Sequence, residues 1–231
     1  MAEFTGFGPG GMAFLSGLAA ENDKAFFDAH RATYEADLKA PLASLVETVS
    51  TRCAIEGLPF RGSAKSTFRI NRDVRFSKDK SPYQTHVSAV LTPSGDKKDM
   101  SAVLYFQFGV PEAFAATGFW QPEPARLQRL RQTIADDPDA FAALEDTLAA
   151  SGLALAEGNP LKRMPGGFEQ VTDDRAAAAI RKRSFTLDRH IPHAVWQTTD
   201  LPDHLMDFAR AAMPFLDWAK SAGLVASPAE F

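Results

Sequence analysis

The spacing of apolar residues changes at Thr67, and that change limits what the chain can fold into. Before it, in NDKAFFDAHRATYEADLKAPLASLVETVSTRCAIEG, residues Phe27, Tyr34, Leu38, Leu42, Leu45, Val49 and Cys53 recur at helical spacing. After it, Phe68, Ile70, Val74 and Phe76 share one parity, while Arg69, Asn71, Asp73 and Arg75 share the other. Alternation of that kind describes a strand with one face toward a core. HVSAVLTP, SAVLYFQFGV and AFAATGFW alternate as well, and SGDKKD supplies hairpin-turn chemistry. Their connections are too short for helical crossovers, so the expected sheet is an antiparallel meander that runs over 67–110 with Phe68 and Ile70 pointing into the core. SFTLDRHI is a further strand candidate. The fold class that follows is α+β, a mainly antiparallel sheet packed with helices, in a single domain over residues 1–231.

The helices are read from the same periodicity. GGMAFLSGLAAEN gives a short one, and Asn22 is placed to cap the next. Pro41 lies inside the long helical pattern and predicts a kink there, or a break with Pro41 opening a new helix. QPEPARLQRLRQTIADD, PDAFAALEDTLAASG, DDRAAAAIRKR and LPDHLMDFARAAMPFLDWAKSAG are the later helices, and FGPGG near the start reads as a flexible turn.

Composition narrows the function classes. Apolar residues make up 45% of the 231, enough for a substantial core, and no apolar run approaches the roughly 20 residues that span a bilayer. MAEFTGFGPGG has no basic stretch followed by an apolar one, so the expectation is a cytoplasmic protein without a membrane partner. The one cysteine, Cys53, excludes an internal disulfide and any multi-cysteine metal site, and its place in an apolar stripe predicts core packing. The net charge of −4 hides an asymmetry. Between Arg61 and Lys80, seven Lys and Arg (61, 65, 69, 72, 75, 78, 80) face two Asp (73, 79), which leaves 18 basic and 27 acidic residues elsewhere. A basic island on an acidic protein focuses a field that attracts an anion. A pI near 5.7 argues against a general nucleic-acid surface.

The stretch FRINRDVRFSKDKSPY, from Phe68 to Tyr83, resembles the signature of the domain of unknown function 2461 family of bacterial and fungal proteins. NDKAFFDAHRATYE, GFWQPEPARLQRLR at 118–131 and LKRMPGGF at 161–168 carry the same resemblance, in the same order. It implies that Arg69, Asn71, Arg72, Asp73, Arg75, Phe76, Lys80, Pro82 and Tyr83 are characteristic positions. AVLYFQFGVPEAFAATGFW departs from the pattern, because relatives often have a glycine-richer run there. The resemblance supplies organisation and candidate residues but no reaction.

Arg69, Asn71, Arg72, Arg75, Lys80, Tyr83 and Trp120 form the candidate ligand-binding set. Guanidinium forks suit bidentate capture of carboxylate or phosphate, and lysine adds a point charge. The bland alternative is a solvated strand face whose ions pair with acidic neighbours. Parity sets Arg72 on the face opposite Arg69 and Arg75, which predicts that Arg72 is the most structural of the three. Asp73, His30 and His86 are the candidate acid–base groups, with Tyr34 one helical turn from His30. Lys162 and Arg163 are loop cations able to close over the same anion, and Trp120 either walls a pocket or seals the sheet. His190 and His193 lack the further ligands zinc requires, and no G-x-S-x-G elbow, P-loop or G-x-G-x-x-G occurs, so no metal or cofactor is implied.

Three functions remain open. The first is a site for a small anionic, possibly phosphorylated, molecule, with or without catalysis. The second is a module docking an acidic protein partner. The third is a single-stranded nucleic-acid binder using Phe76, Tyr83 and Trp120 as stacking surfaces, which the acidic remainder disfavours. Oligomeric state has no sequence signal.

Overall fold

Four regular strands form among the described residues. His86–Leu91 (β1), Leu104–Gly109 (β2), Ala113–Phe119 (β3) and Phe185–His190 (β4) make an antiparallel sheet in the order β1-β2-β3-β4. The computed structural model describes residues 3–99 and 102–224; Met1 and Ala2 of the N-terminal reading and Ser101 of the second expected strand lie outside them. The register aligns Val87 with Phe108 and Ala113, and Ala89 with Phe106 and Ala115, on one buried face. The opposite face carries half-buried Tyr105, Gln107 and Phe114. Helix α4 (Ala40–Ile55) packs on β1, and α8 (Leu201–Ser221) packs on β3 and on α4. Helices Pro124–Asp136 (α5), Pro138–Ala150 (α6) and Asp174–Ile180 (α7) pack on one another, and α6 also leans on α8. One hydrophobic cluster joins all these layers. Cys53 lies within it, its Sγ 3.6 Å from Met206 Sδ, and burial pushes the thiol up to about 11.

The N-terminal helical region breaks more often than its periodicity predicts. After α1 (Gly11–Ala20) come α2 (Lys24–Ala29), a single turn α3 (Arg31–Thr33) and a π-helical segment, Tyr34–Lys39, that leads into α4. Asp23, not Asn22, caps α2 by accepting from the Phe26 amide. Pro41 has no N–H, so the Asp37 carbonyl one turn earlier has no helical donor. It accepts from the Gly8 amide at 2.9 Å instead, while Asp37 Oδ2 accepts from the Gly10 amide at 2.8 Å. FGPGG is therefore a docked strap and not a flexible turn. A Cβ at Gly8 would stand 2.2 Å from the Asp37 carboxylate, so glycine is required by the closeness of approach.

The largest correction concerns the expected strand over 68–76, since no regular strand forms there. Residues 61–71 follow the free edge of β1 through isolated bridges, Arg61 with Thr92, Thr67 with Ala89 and Asn71 with Tyr83. The Phe68 amide donates to Ser88 O, and a bend at Ile70 then turns the chain. Phe68 stands opposite Ser88, on the half-open face beside Tyr105, and is 43% exposed; Ile70, past the bend, is 4% exposed. Equal parity does not give an equal face once the backbone bends. Beyond Arg72 the chain is an exposed loop, with Phe76 96% exposed at its tip.

Candidate functional site

The arm along β1 stands opposite the π-helical segment, and an open cleft of about 620 Å³ lies between them. Phe27, Tyr34, Leu42, Ile70 and Tyr83 form its apolar base, with Phe27 and Tyr83 stacked at 4.4 Å. Asn22 holds this base together. Its amide donates to Tyr83 O and accepts from Tyr83 N–H, both at 3.0 Å, so it pairs with the arm as another strand would. Burial pushes the Tyr34 phenol up to about 12, which keeps it neutral and able to donate.

The rim of the cleft is basic. Arg31, Lys39, Lys65, Arg69 and Lys97 line it, and Glu35 is the one carboxylate among the lining residues. Three of these cations are engaged: Arg31 with Asp28 at 2.7 Å, Lys39 with Glu35 at 2.8 Å, and Lys97 with Thr67 O at 2.9 Å and with the Phe68 ring. Among the described residues, the Lys65 ammonium and the Arg69 guanidinium form no hydrogen bond or ion pair, and the Asn71 side-chain amide has no partner. A second, smaller hollow of about 300 Å³ lies across the arm, between Arg69, Asn71 and His86. Burial lowers the pKa of His86, which favours a neutral imidazole there.

The structure brings together only part of the set expected from sequence. Arg69, Asn71 and Tyr83 line the main cleft. Arg72 instead donates to Asp79 and to Ser81 O, closing the base of the loop. Arg75 makes a bidentate pair with Asp73 and lies over the Phe76 ring; Lys80 donates to Val74 O at 2.9 Å. Those partners hold the Asp73 and Asp79 carboxyls below their ordinary range, Asp73 chiefly through Arg75, and Asp79 through Ser81 and then Arg72. His30 is exposed on the outside of α2, stacked on Phe26 with Nδ1 against Phe26 O at 2.9 Å. Trp120 borders a separate cleft beyond β3, and neither Lys162 nor Arg163 lines the main one. Among the described residues no three His, Cys, Asp or Glu side chains are grouped to hold a metal ion, and no helix is long and apolar enough to cross a membrane.

Sequence reasoning did not connect Arg31, Lys39 or Lys97 with the signature. Arg31 and Lys39 bracket Tyr34 and Glu35 on a segment whose π geometry has no simple period, and Lys97 arrives from a hairpin turn. The fold and site together define an α+β protein with a basic cleft beside the irregular edge of its sheet. The chain belongs to the family described as conserved hypothetical protein (DUF2461), whose match covers residues 11–218. Nothing among the curated proteins or the solved structures matches it.

Proposed function

We propose that the cleft between the π-helical segment and the arm binds a small molecule bearing a carboxylate or phosphate. The observation that carries this reading is the pair Lys65 and Arg69, two cations that make no hydrogen bond or ion pair among the described residues, on a rim where five cations face one carboxylate. Like charges left together raise the energy of the empty site, and an anion relieves it. Arg69 supplies a guanidinium fork, Lys65 a point charge, Asn71 an amide and Tyr34 a neutral phenol. The reading is one of binding; Asp73, His30 and His86, the acid–base groups expected from sequence, do not line this cleft.

Thermal denaturation with phosphate, sulfate and citrate tests it. An anion bound by the folded state alone raises Tm by mass action, by about 2.7 kcal/mol of stability at 100 times Kd. Arg69→Gln and Lys65→Gln should fold as stably as wild type and lose most of that rise. An undiminished response in both variants would refute the assignment. Docking of an acidic protein is a second reading, favoured by the exposed Phe76 beside Arg75 and Lys78; it predicts instead that Phe76→Ala abolishes partner capture and leaves the anion response intact.

A further inference from the structure

A second cleft of about 490 Å³ lies beyond the carboxyl end of β3, and none of its lining residues is shared with the first. Trp120, Pro122, Leu127, Arg131, Leu161 and Arg183 border it. The volume is that of a small-molecule site. Two of the four stretches that carry the family resemblance meet here, GFWQPEP through Trp120 and LKRMPGGF through Leu161.

Trp120 is 67% exposed, whereas Trp196 is buried in the core. It is presented by a strained turn. Gln121 has φ of +43°, the one non-glycine residue in the left-handed region among the described residues, and its amide is held by Ser184 Oγ at 2.9 Å. Backbone strain of this kind persists only where the surroundings impose it, and it is concentrated at ligand sites. Just before the turn, Gly118 (φ +106°) lets β3 approach β4 so closely that a Cβ would lie 2.2 Å from Phe185 O.

The polar wall is a buried cation that makes no ion pair among the described residues. Arg131 is 7% exposed; its Nε donates to Ile180 O at 2.7 Å and one amino group to Lys182 O at 3.0 Å. Its other amino group, Nη1, has no partner among the described residues and is not sealed from solvent. Arg183, also without an ion pair among the described residues, adds a second positive charge. Burial first, then the Arg183 charge, lowers the pKa of Arg131. Glu157, the one carboxylate on the cleft wall, lies toward Lys182 at 3.8 Å.

We propose that this second cleft binds a planar aromatic ring carrying a carboxylate or phosphate. The ring stacks on the open face of Trp120 between Pro122, Leu127 and Leu161, and Arg131 Nη1 and Arg183 receive the anionic group. The inference does not depend on the first cleft.

Isothermal titration calorimetry with adenosine 5′-monophosphate and 2-naphthoate tests it, with adenosine and inorganic phosphate as half-probes. Saturable binding of either ring-bearing anion is expected, at least about tenfold tighter than either half-probe. Binding of the nucleotide alone assigns a phosphate, and binding of the naphthoate alone a carboxylate. Arg183→Gln changes an exposed side chain and should keep the wild-type Tm while weakening binding at least about tenfold; Trp120→Ala should abolish it. Arg69→Gln should bind as wild type does, and loss of binding in that variant would relocate the ligand to the first cleft and overturn the proposal. So would absence of binding by both ring-bearing anions, or unchanged affinity in Arg183→Gln and Trp120→Ala.

Discussion

Phe68–Arg72, with two arginines and no acid, and Asp73–Ser81, with three cations and two aspartates, are consecutive parts of one motif, and the protein treats them in opposite ways. The first is tied to β1 and to Tyr83, buries Ile70, and leaves the Arg69 and Asn71 side chains without a hydrogen bond or ion pair among the described residues. The second is an exposed loop whose charges satisfy one another, Arg75 with Asp73, Lys80 with Val74 O, and Asp79 with Ser81 and Arg72. Charge density alone therefore does not mark a site. Cations become available to a ligand where the backbone is held by other elements and no carboxylate is close enough to pair with them. Arg72 sits at the junction and belongs to the second half by its partners.

Substitutions can break this contrast. The largest effect is expected from Ile70→Ala, a loss of roughly 2–5 kcal/mol in urea denaturation, whereas Phe76→Ala should stay within about 0.5 kcal/mol. Equal losses would show that the two halves are not differently anchored. Asn22→Ala removes both hydrogen bonds to the Tyr83 backbone and should cost roughly 1–3 kcal/mol, with a weakened anion response because the cleft base loosens. Arg72→Ala should cost about 1 kcal/mol, mainly through the Ser81 carbonyl, and leave the anion response in place. The smallest effect is on pH. Asp73 and Asp79 have folded-state pKa values depressed below 3.8, so their contribution is complete above that value and disappears as pH falls through the lower folded values. Amide exchange at Ser81, whose N–H donates to Asp79, should stay protected at about pH 4 and open only at more acid pH. Loss of protection already above that point would mean the loop pairs do not hold the carboxyls in their ionised form.

The sheet was legible because β2, β3 and the start of β4 alternate and the β1–β2 and β2–β3 connections are short, whereas three helices separate β3 from β4 and left SFTLDRHI only a strand candidate. The arm was not, because Phe68 and Ile70 have strand parity in sequence while a bend at Ile70 separates their faces, a backbone event with no glycine or proline to announce it. Asn22 looked like a helix cap because Asn and Asp are both capping residues; the adjacent Asp23 took that role and freed Asn22 for Tyr83. For the site, Arg69, Asn71 and Tyr83 were readable as a polar motif, and Lys65 lay inside the basic island. Lys39 and Lys97 are brought in by tertiary packing alone. Trp120 was readable either as a pocket wall or as a seal on the sheet; Arg131 on α5 and Arg183 after α7 border its cleft, and periodicity carries no information about which cations meet there.

The bond between Gly8 and the Asp37 carbonyl has a consequence for where this protein can be cut. The family match begins at residue 11, yet Phe4 and Phe7 are buried, and the Phe7 amide donates to Trp196 O at 2.8 Å. A chain shortened to the matched boundaries would lose Phe7 from against Phe108 and Trp196, lose Phe4 from behind it, and strand the acceptors of Asp37. The segment outside the family's recognisable limits therefore behaves as a keystone of the helical layer, and domain swaps or expression clones that start at Gly11 would carry an open seam beside α4.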